Sequence, residues 1–129
     1  MNENFEGMRT PLARVRFLGA AKTGTQEAWL LHVTSLALVP LSLYFVWLVL
    51  RLIRMDYNGV RATLGHPVPA ILVLAFVLTG ILHMELGIRS SIVDYIDGRA
   101  RGWALAANMC FCALMAFACA YSVLRIAFT

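Results

Sequence analysis

Three long stretches without a charged residue constrain this chain more than any other feature of its sequence. Each stretch is 23 residues long, and together they occupy positions 28–50, 62–84 and 102–124. A helix needs about 20 apolar residues to cross the hydrocarbon core of a bilayer. Since the chain has 129 residues, of which 60% are hydrophobic, three spans leave almost no room for a soluble domain. The pattern predicts an all-α integral membrane protein.

Prolines, glycines and charged residues then set the expected bounds of the elements. The expected transmembrane helices cover about 28–50, 67–93 and 102–126. Residues 1–27 are polar and predict a short N-terminal arm, which we place on the cytoplasmic side. The segment 51–67 reads as a loop on the opposite side. Residues 28–129 therefore form one three-helix transmembrane anchor domain.

The distribution of charge argues for a membrane surface rather than nucleic acid as the partner of the basic residues. The net charge is +4, with 11 Lys and Arg against 7 Asp and Glu. These residues gather at the helix ends, where lipid headgroups favour basic side chains. With the N-terminus inside, seven basic residues lie inside and four outside, which favours a cytoplasmic N-terminus and a periplasmic C-terminus. The acidic first residues lack the bias of a transit peptide, so we expect a bacterial inner membrane.

The three cysteines give no sign of a metal site. Cys110, Cys112 and Cys119 all lie in the third apolar stretch. Their number is odd and their spacing is not that of metal ligands. We expect structural thiols that pack in a helix interface.

The strongest site candidate is a histidine inside the second stretch. At about 100° per residue, one helix face collects this histidine, two glycines and small polar residues. They are Gly80, His83, Gly87, Ser90 or Ser91, and Asp94. An ionisable residue inside a membrane is costly and is a functional hypothesis by default. Gly87, one turn from His83, removes bulk where a flat macrocycle would lie, which predicts His83 as an axial ligand of haem iron. In the competing interpretation, the glycines allow close helix packing and His83 only hydrogen-bonds across helices.

A six-coordinate haem needs a second axial ligand, and the chain offers two other histidines. His66 falls in the outer loop, on the wrong side of the membrane. His32 is expected about 6 Å deep, whereas His83 is expected about 13 Å deep. The gap of about 7 Å disfavours pairing within one chain, so we expect another subunit to supply the second ligand.

An acid and a phenol stand where the second stretch meets water. Asp94 and Tyr95 follow His83 by about 16 Å along a helix. A phenol is a good donor to a quinone carbonyl, and a neighbouring carboxylate orients it or relays protons. The simpler interpretation makes Tyr95 an interfacial anchor and lets Asp94 cap the helix or pair with Arg89 or Arg99.

Two segments of the chain resemble the smaller hydrophobic membrane anchor of succinate dehydrogenase, the D-type cytochrome b556 subunit, in its alphaproteobacterial form. The first runs from Gly24-Thr-Gln-Glu-Ala-Trp29 to Thr34-Ser35 and is preceded by Arg14-Val-Arg-Phe-Leu-Gly-Ala-Ala-Lys22. The second is His83-x3-Gly87-x6-Asp94-Tyr95, in which the spacing of all four residues matches. The resemblance covers nearly the whole chain.

This resemblance implies specific roles and partners. His83 would be one axial ligand of haem b, and the larger cytochrome b anchor subunit would supply the other. Tyr95 would hydrogen-bond ubiquinone, with Asp94 in support. Succinate oxidation would occur on a flavoprotein subunit, with electrons passing through an iron–sulfur subunit, so the chain would not be catalytic alone. Where this chain has His32, relatives usually carry an arginine that lies near the haem propionates. His32 would still donate a hydrogen bond to a propionate, but the fixed positive charge is lost.

Two interpretations from other classes compete with an electron-transfer anchor. A structural anchor or assembly protein would use His83 for packing and would be colourless. A transporter or proton-channel fragment would use His83 and Asp94 as a relay, but the charge-free stretches offer no further relay groups. A fumarate reductase anchor lies close to the first interpretation, because sequence does not fix the direction of the reaction.

Overall fold

The computed structural model describes residues 23–129, which form four helices. They are α1 (Thr23–Leu52), α2 (Tyr57–Gly65), α3 (Pro67–Tyr95) and α4 (Arg99–Phe128). Helices α1, α3 and α4 are each long and apolar enough to cross a membrane. The prediction of an all-α protein with three transmembrane helices is thereby confirmed. The arm at 1–22 and its basic residues lie outside the described part of the chain.

The transmembrane helices extend past the predicted bounds at most of their ends. Helix α1 is already helical at Thr23, five residues before the expected start at position 28. Helix α3 includes Asp94 and Tyr95, and α4 begins at Arg99 rather than at position 102. The charge-free stretches mark only the part of a helix that needs hydrocarbon around it. Polar residues continue the same helix into the headgroup region, where water and lipid phosphates solvate them.

The expected outer loop at 51–67 is wrong, because it contains the short helix α2. The carboxylate of Asp56 caps this helix by accepting a hydrogen bond from the Gly59 backbone N–H at 3.2 Å. A capping aspartate satisfies one of the N–H groups that a helix start leaves unpaired. Helix α2 packs against both α3 and α4. Pro67 then occupies the first turn of α3, as predicted, because the missing N–H costs nothing there.

Helix α3 lies in the middle of the molecule, with α1 packed on one side and α4 on the other, while α1 and α4 barely touch. The ring of Phe45 in α1 stacks on Phe76 in α3 with centroids 4.5 Å apart. On the other side, the Asn108 side-chain amide of α4 donates to the Glu85 carbonyl oxygen of α3 at 3.2 Å. This open layer covers little apolar surface, so the outer faces of the helices are left for lipid and for other chains.

The polar Asn108 contact has a thiol beside it. Cys112 is buried, and its sulfur lies 3.8 Å from the side-chain oxygen of Asn108. The expectation that cysteines pack in a helix interface is confirmed for Cys112. Cys110 is exposed and Cys119 is half-buried in the described chain, so an interface role for these two thiols stays a prediction.

Because consecutive spans run in opposite directions, the layer has two distinct ends. The Tyr95 end holds the start of α1, the end of α3 and the start of α4. The α2 end holds α2, the end of α1, the start of α3 and the end of α4. At the Tyr95 end, Glu27 of α1 and Arg89 of α3 form an ion pair of 3.6 Å. Gly98, with a φ of 70°, makes the turn from α3 into α4, a conformation that glycine adopts without strain.

Candidate functional site

His83 is held by a hydrogen bond to the neighbouring helix. Its Nδ1 lies 3.0 Å from the hydroxyl oxygen of Thr34 in α1, and Thr34 is buried. Thr34 comes 11 residues after Thr23, and His83 comes 12 residues before Tyr95. At 1.5 Å per residue, both therefore lie roughly 17 to 18 Å from the Tyr95 end of their helices. The two side chains meet at a matched depth, well inside the membrane span.

The contacts of Thr34 determine which ring nitrogen of His83 carries a proton. The Thr34 hydroxyl also lies 2.8 Å from the Leu30 carbonyl oxygen and 3.1 Å from that of Leu31. Carbonyl oxygens only accept, so the single hydroxyl proton is donated to them. The hydroxyl oxygen then accepts from His83, which requires the proton on Nδ1. In the neutral ring, Nε2 is left with a free lone pair, which is the form that binds a metal.

The free side of His83 faces an open groove between α1 and α3. The groove has a volume of about 460 Å³. Its other lining residues all belong to α1: Ser35, Leu38, Val39, Ser42, Leu43 and Val46. Within residues 23–129, Nε2 has no hydrogen-bond partner, and no buried side-chain nitrogen or oxygen lacks one. Nε2 is therefore accessible rather than sealed in the helix interface.

The two glycines on this face have different surroundings. A Cβ placed on Gly80 would lie 3.9 Å from Leu38 of α1, so Gly80 faces the helix interface. A Cβ on Gly87 would meet nothing within 4 Å. Close packing between helices of the described chain therefore gives no reason for glycine at position 87. It leaves free space one turn from His83, which fits the flat edge of a macrocycle or the face of another chain.

His32 lies closer in depth to His83 than expected but does not face it. It is two residues, or about 3 Å along the axis, from Thr34. The expected gap of about 7 Å is too large because α1 begins five residues before Ala28, whereas α3 extends only three residues past Ile92. Two residues also rotate the side chain by about 200°, which turns His32 away from α3. His32 is exposed, and its Nδ1 lies 2.8 Å from the Ala28 carbonyl oxygen. Direction, rather than depth, prevents it from pairing with His83 across one iron.

Asp94 and Tyr95 form the last turn of α3 and are both exposed, Tyr95 to 88%. Among residues 23–129, neither side chain forms a hydrogen bond or an ion pair. Arg89 pairs with Glu27 instead of Asp94. The simpler account of Asp94, as a partner of Arg89 or Arg99, therefore has no support in the described structure.

A second groove runs along the end of α3, from Gly87 to Tyr95. It has a volume of about 350 Å³ and is formed by one face of α3. Its lining residues are Gly87, Ile88, Ser91, Ile92, Tyr95 and Ile96. His83, Gly87, Ser91 and Tyr95 follow one another at four-residue steps, so a continuous strip of α3 runs from the histidine to the phenol. The groove thus brings Gly87 and Tyr95 together along α3, whereas Asp94 and His83 do not line it.

Sequence reasoning missed two contacts of this site. Thr34 was noticed only as part of a motif, and its bond to His83 was not predicted. The pair of Glu27 with Arg89 was also missed. A hydroxyl residue in an apolar helix indicates a hydrogen-bonding partner for another helix. Showing that Thr34 lies at the depth of His83 requires the observed ends of both helices. No group of three or more His, Cys, Asp and Glu side chains in the described region could hold a bare metal ion. A single histidine suits iron already held by a porphyrin, which needs only axial ligands.

Comparison with known proteins identifies the family. The model of the succinate dehydrogenase/fumarate reductase transmembrane subunit family matches residues 6–118. The chain belongs to this family. It is 33% identical over 116 residues to the succinate dehydrogenase hydrophobic membrane anchor subunit of Paracoccus denitrificans, covering 90% of each chain. It is 30% identical over 89 residues to the subunit of the same name from Rickettsia bellii (strain RML369-C), covering 69% of this chain and 71% of that one. No solved structure matches the chain significantly.

The family resolves part of what the sequence predicted. The resemblance to a succinate dehydrogenase membrane anchor is confirmed, and so is the expectation of a non-catalytic subunit within a larger enzyme. The family and the three apolar helices together make the chain a multi-pass membrane protein. The roles of His83, Asp94 and Tyr95 are a separate question, which the geometry of the site addresses.

Proposed function

We propose that this anchor subunit binds haem b through Nε2 of His83 and contributes Tyr95 to a ubiquinone-reduction site. A histidine of the larger cytochrome b anchor subunit would be the second axial ligand. The observation that carries the proposal is the contact of His83 Nδ1 with the Thr34 hydroxyl at 3.0 Å, which leaves Nε2 without a partner within residues 23–129 on a residue that lines an open groove. Metal-ligating histidines nearly always donate their other ring N–H to a fixed acceptor in this way.

A histidine that served only for helix packing would explain less. Its hydrogen bond to Thr34 would be accounted for, since such bonds link helices inside membranes. The accessible Nε2 would have no purpose there, because an unsatisfied polar nitrogen next to hydrocarbon is costly. The open space at Gly87 would have none either. Both features are expected beside a haem shared with another chain.

Bound haem would supply one-electron redox chemistry, and the residues of this chain would set its position. Thr34 holds the imidazole ring of His83 in one orientation, and the apolar groove residues of α1 exclude water from the iron. His32 lies on the same side of α1 as Val39 and Leu43, which follow it by seven and eleven residues. In its neutral form, His32 donates from Nδ1 to Ala28 and offers only an acceptor at Nε2. In this tautomer His32 has no hydrogen to donate to a haem propionate, which only accepts.

Tyr95 and Asp94 would act on the quinone rather than on the haem. The phenol hydroxyl would donate a hydrogen bond to a quinone carbonyl, and the Asp94 carboxylate would support it and exchange protons with water. Both groups are exposed at the end of α3 and have no partner within residues 23–129, so they are free for a ligand bound there. Succinate oxidation would remain on the flavoprotein subunit, with electrons arriving through the iron–sulfur subunit.

The orientation of the chain follows from this arrangement. The Tyr95 end would face the cytoplasm of a bacterium, beside the soluble subunits, and the α2 end would face the periplasm across the inner membrane. The basic N-terminal arm would then dock against a soluble subunit. The balance of basic residues in the sequence points the same way.

Haem content of the purified complex tests the haem assignment. His83→Ala should abolish or shift the sharp α-band of the reduced b-type haem and lower the haem content. His66→Ala removes an exposed histidine at the α2 end and is the matched control, with an unchanged spectrum expected. A normal spectrum and haem content in assembled His83→Ala complex would refute the proposal and leave His83 a packing residue.

A further inference from the structure

A pocket at the α2 end has the composition of a binding site and no role in the proposed function. It has a volume of about 420 Å³ and lies between α2 and the last turns of α4. Val60, Leu64 and Ile126 form its apolar walls, and its polar lining comes from Tyr57, Arg61, Tyr121, Ser122, Arg125 and Thr129. Two helices that are distant in sequence thus converge on one concave, partly basic surface.

The positive charge of the pocket is not neutralised within the described chain. The ion pairs of residues 23–129 both lie at the Tyr95 end, so Arg61 and Arg125 are free. Asp56 is the nearest acid along the chain, and its carboxylate is committed to capping α2. The end of α4 adds the negative pole of a helix, equivalent to about half a charge. The Arg125 carbonyl oxygen accepts from the backbone and hydroxyl of Thr129. The two full positive charges of Arg61 and Arg125 outweigh this negative pole of α4.

The aromatic residues of the pocket point to a lipid rather than to a free ion. Tyr57 and Tyr121 are 76% and 67% exposed, and tyrosines with this exposure mark the level of the lipid headgroups. Phe117 and Leu114 follow Tyr121 on the same face of α4, and they are 76% and 70% exposed. An apolar strip therefore leads from the pocket towards the middle of the bilayer, where an acyl chain would lie.

We infer that this pocket binds the headgroup of an anionic phospholipid. Arg61 and Arg125 donate charge-assisted hydrogen bonds to the phosphate oxygens. The hydroxyls of Tyr57, Tyr121 and Ser122 contact the polar part of the headgroup, and one acyl chain packs along Phe117. The bound lipid would join α2 to α4 at an end of the layer where few side chains are buried. This inference is independent of haem and quinone binding.

Native mass spectrometry of the purified complex, titrated with phosphatidylglycerol, tests the site. The double variant Arg61→Gln/Arg125→Gln should bind the lipid at least tenfold more weakly, because it removes both charged donors to the phosphate. Arg51→Gln/Arg54→Gln is the matched control. It removes the same charge from the same end, but Arg51 lies over the Trp47 ring at 5.7 Å, in a different groove. Equal losses in the two double variants would overturn a specific site.

Two further ligands distinguish the chemistry that is recognised. Phosphatidylcholine has the phosphate without the net charge and should bind severalfold more weakly to the native complex. Inorganic phosphate at millimolar concentration should not displace phosphatidylglycerol, because it lacks the acyl chain. Displacement by phosphate, or equal binding of the two lipids, would contradict the inference. If the double variant does not assemble, each single Gln variant should still weaken binding severalfold, and unchanged binding in both would refute the site.

Discussion

The two candidate sites on α3 differ in how this chain holds them. In the middle of the membrane, His83 is fixed by a hydrogen bond of 3.0 Å to the buried hydroxyl of Thr34. At the Tyr95 end, Asp94 and Tyr95 are exposed and make no hydrogen bond or ion pair within residues 23–129. The chain itself fixes the orientation of His83, whereas it leaves the side chains of Asp94 and Tyr95 without a partner.

The difference follows from the surroundings of each site. A polar group inside hydrocarbon must be satisfied, so a helix that carries a histidine there needs a partner on the next helix. At the interface, water satisfies the carboxylate and the phenol, so no such partner is required. We therefore expect the haem ligand to be oriented before assembly and the quinone site to be completed by other subunits.

Removing the Tyr95 hydroxyl should give the largest change that is confined to one region. Tyr95→Phe keeps the ring and loses one hydrogen bond to the quinone carbonyl. A cost of about 1–3 kcal/mol corresponds to a rate of quinone reduction lower by roughly five- to 150-fold. Succinate oxidation with an artificial dye that accepts electrons upstream should not change. An unaltered ratio of quinone-reductase to dye-reductase activity in assembled complex would leave Tyr95 a simple interfacial anchor.

Removing the acceptor for His83 tests the other region. Thr34→Val keeps the size of the side chain but leaves Nδ1–H without a partner. Loss of such a supporting contact typically lowers metal affinity by roughly tenfold to 100-fold, so the complex should lose haem more readily and show a shifted midpoint potential. Thr34→Ser keeps the hydroxyl and should restore both. If Val and Ser behave alike, the hydrogen bond does not support the ligand.

The glycines provide a matched pair that separates ligand space from helix packing. Gly87→Ala should weaken haem binding by about fivefold, since an added methyl in an occupied space costs about 1 kcal/mol. Gly80→Ala faces Leu38 at an ordinary contact distance and should have little effect. Both changes improve helix propensity equally. Haem titration of the two variants measures the contrast, and equal effects would show that Gly87 has no special neighbour.

The smallest effect is expected for the ion pair that joins α1 to α3. Glu27 and Arg89 are 3.6 Å apart and both partly exposed, so the pair contributes at most about 1 kcal/mol. Glu27→Gln should lower the thermal stability of the complex slightly and leave the haem spectrum unchanged. A large loss of haem in this variant would mean that the Tyr95 end also controls the position of His83.

The sequence predicted the three spans because the charge-free stretches reflect a hydrocarbon core that excludes charge. It also predicted that His83, Gly87 and Asp94 share one face of a single helix, since helical periodicity is local. The bond to Thr34 is not predicted, because the expected depths are counted from Ala28 and Ile92, whereas α1 begins at Thr23 and α3 ends at Tyr95.

Helix α2 and the ion pair of Glu27 with Arg89 are not predicted from the sequence, for different reasons. The sequence of residues 51–67 predicts a loop, although Asp56 is a capping residue that signals the start of the short helix α2. The pair of Glu27 with Arg89 depends on how α1 packs against α3, which periodicity within either helix does not determine. Contacts between helices therefore needed the structure, whereas the identity of the spans did not.

Chemical rescue tests most directly whether Nε2 of His83 coordinates haem iron in the groove beside α1. His83→Gly removes the imidazole and leaves a space that free imidazole fits. We expect the assembled variant to lose the sharp reduced α-band and to regain it, saturably, when imidazole is added. His66→Gly should keep the α-band, and added imidazole should not alter it. A native spectrum in His83→Gly without imidazole would contradict the account.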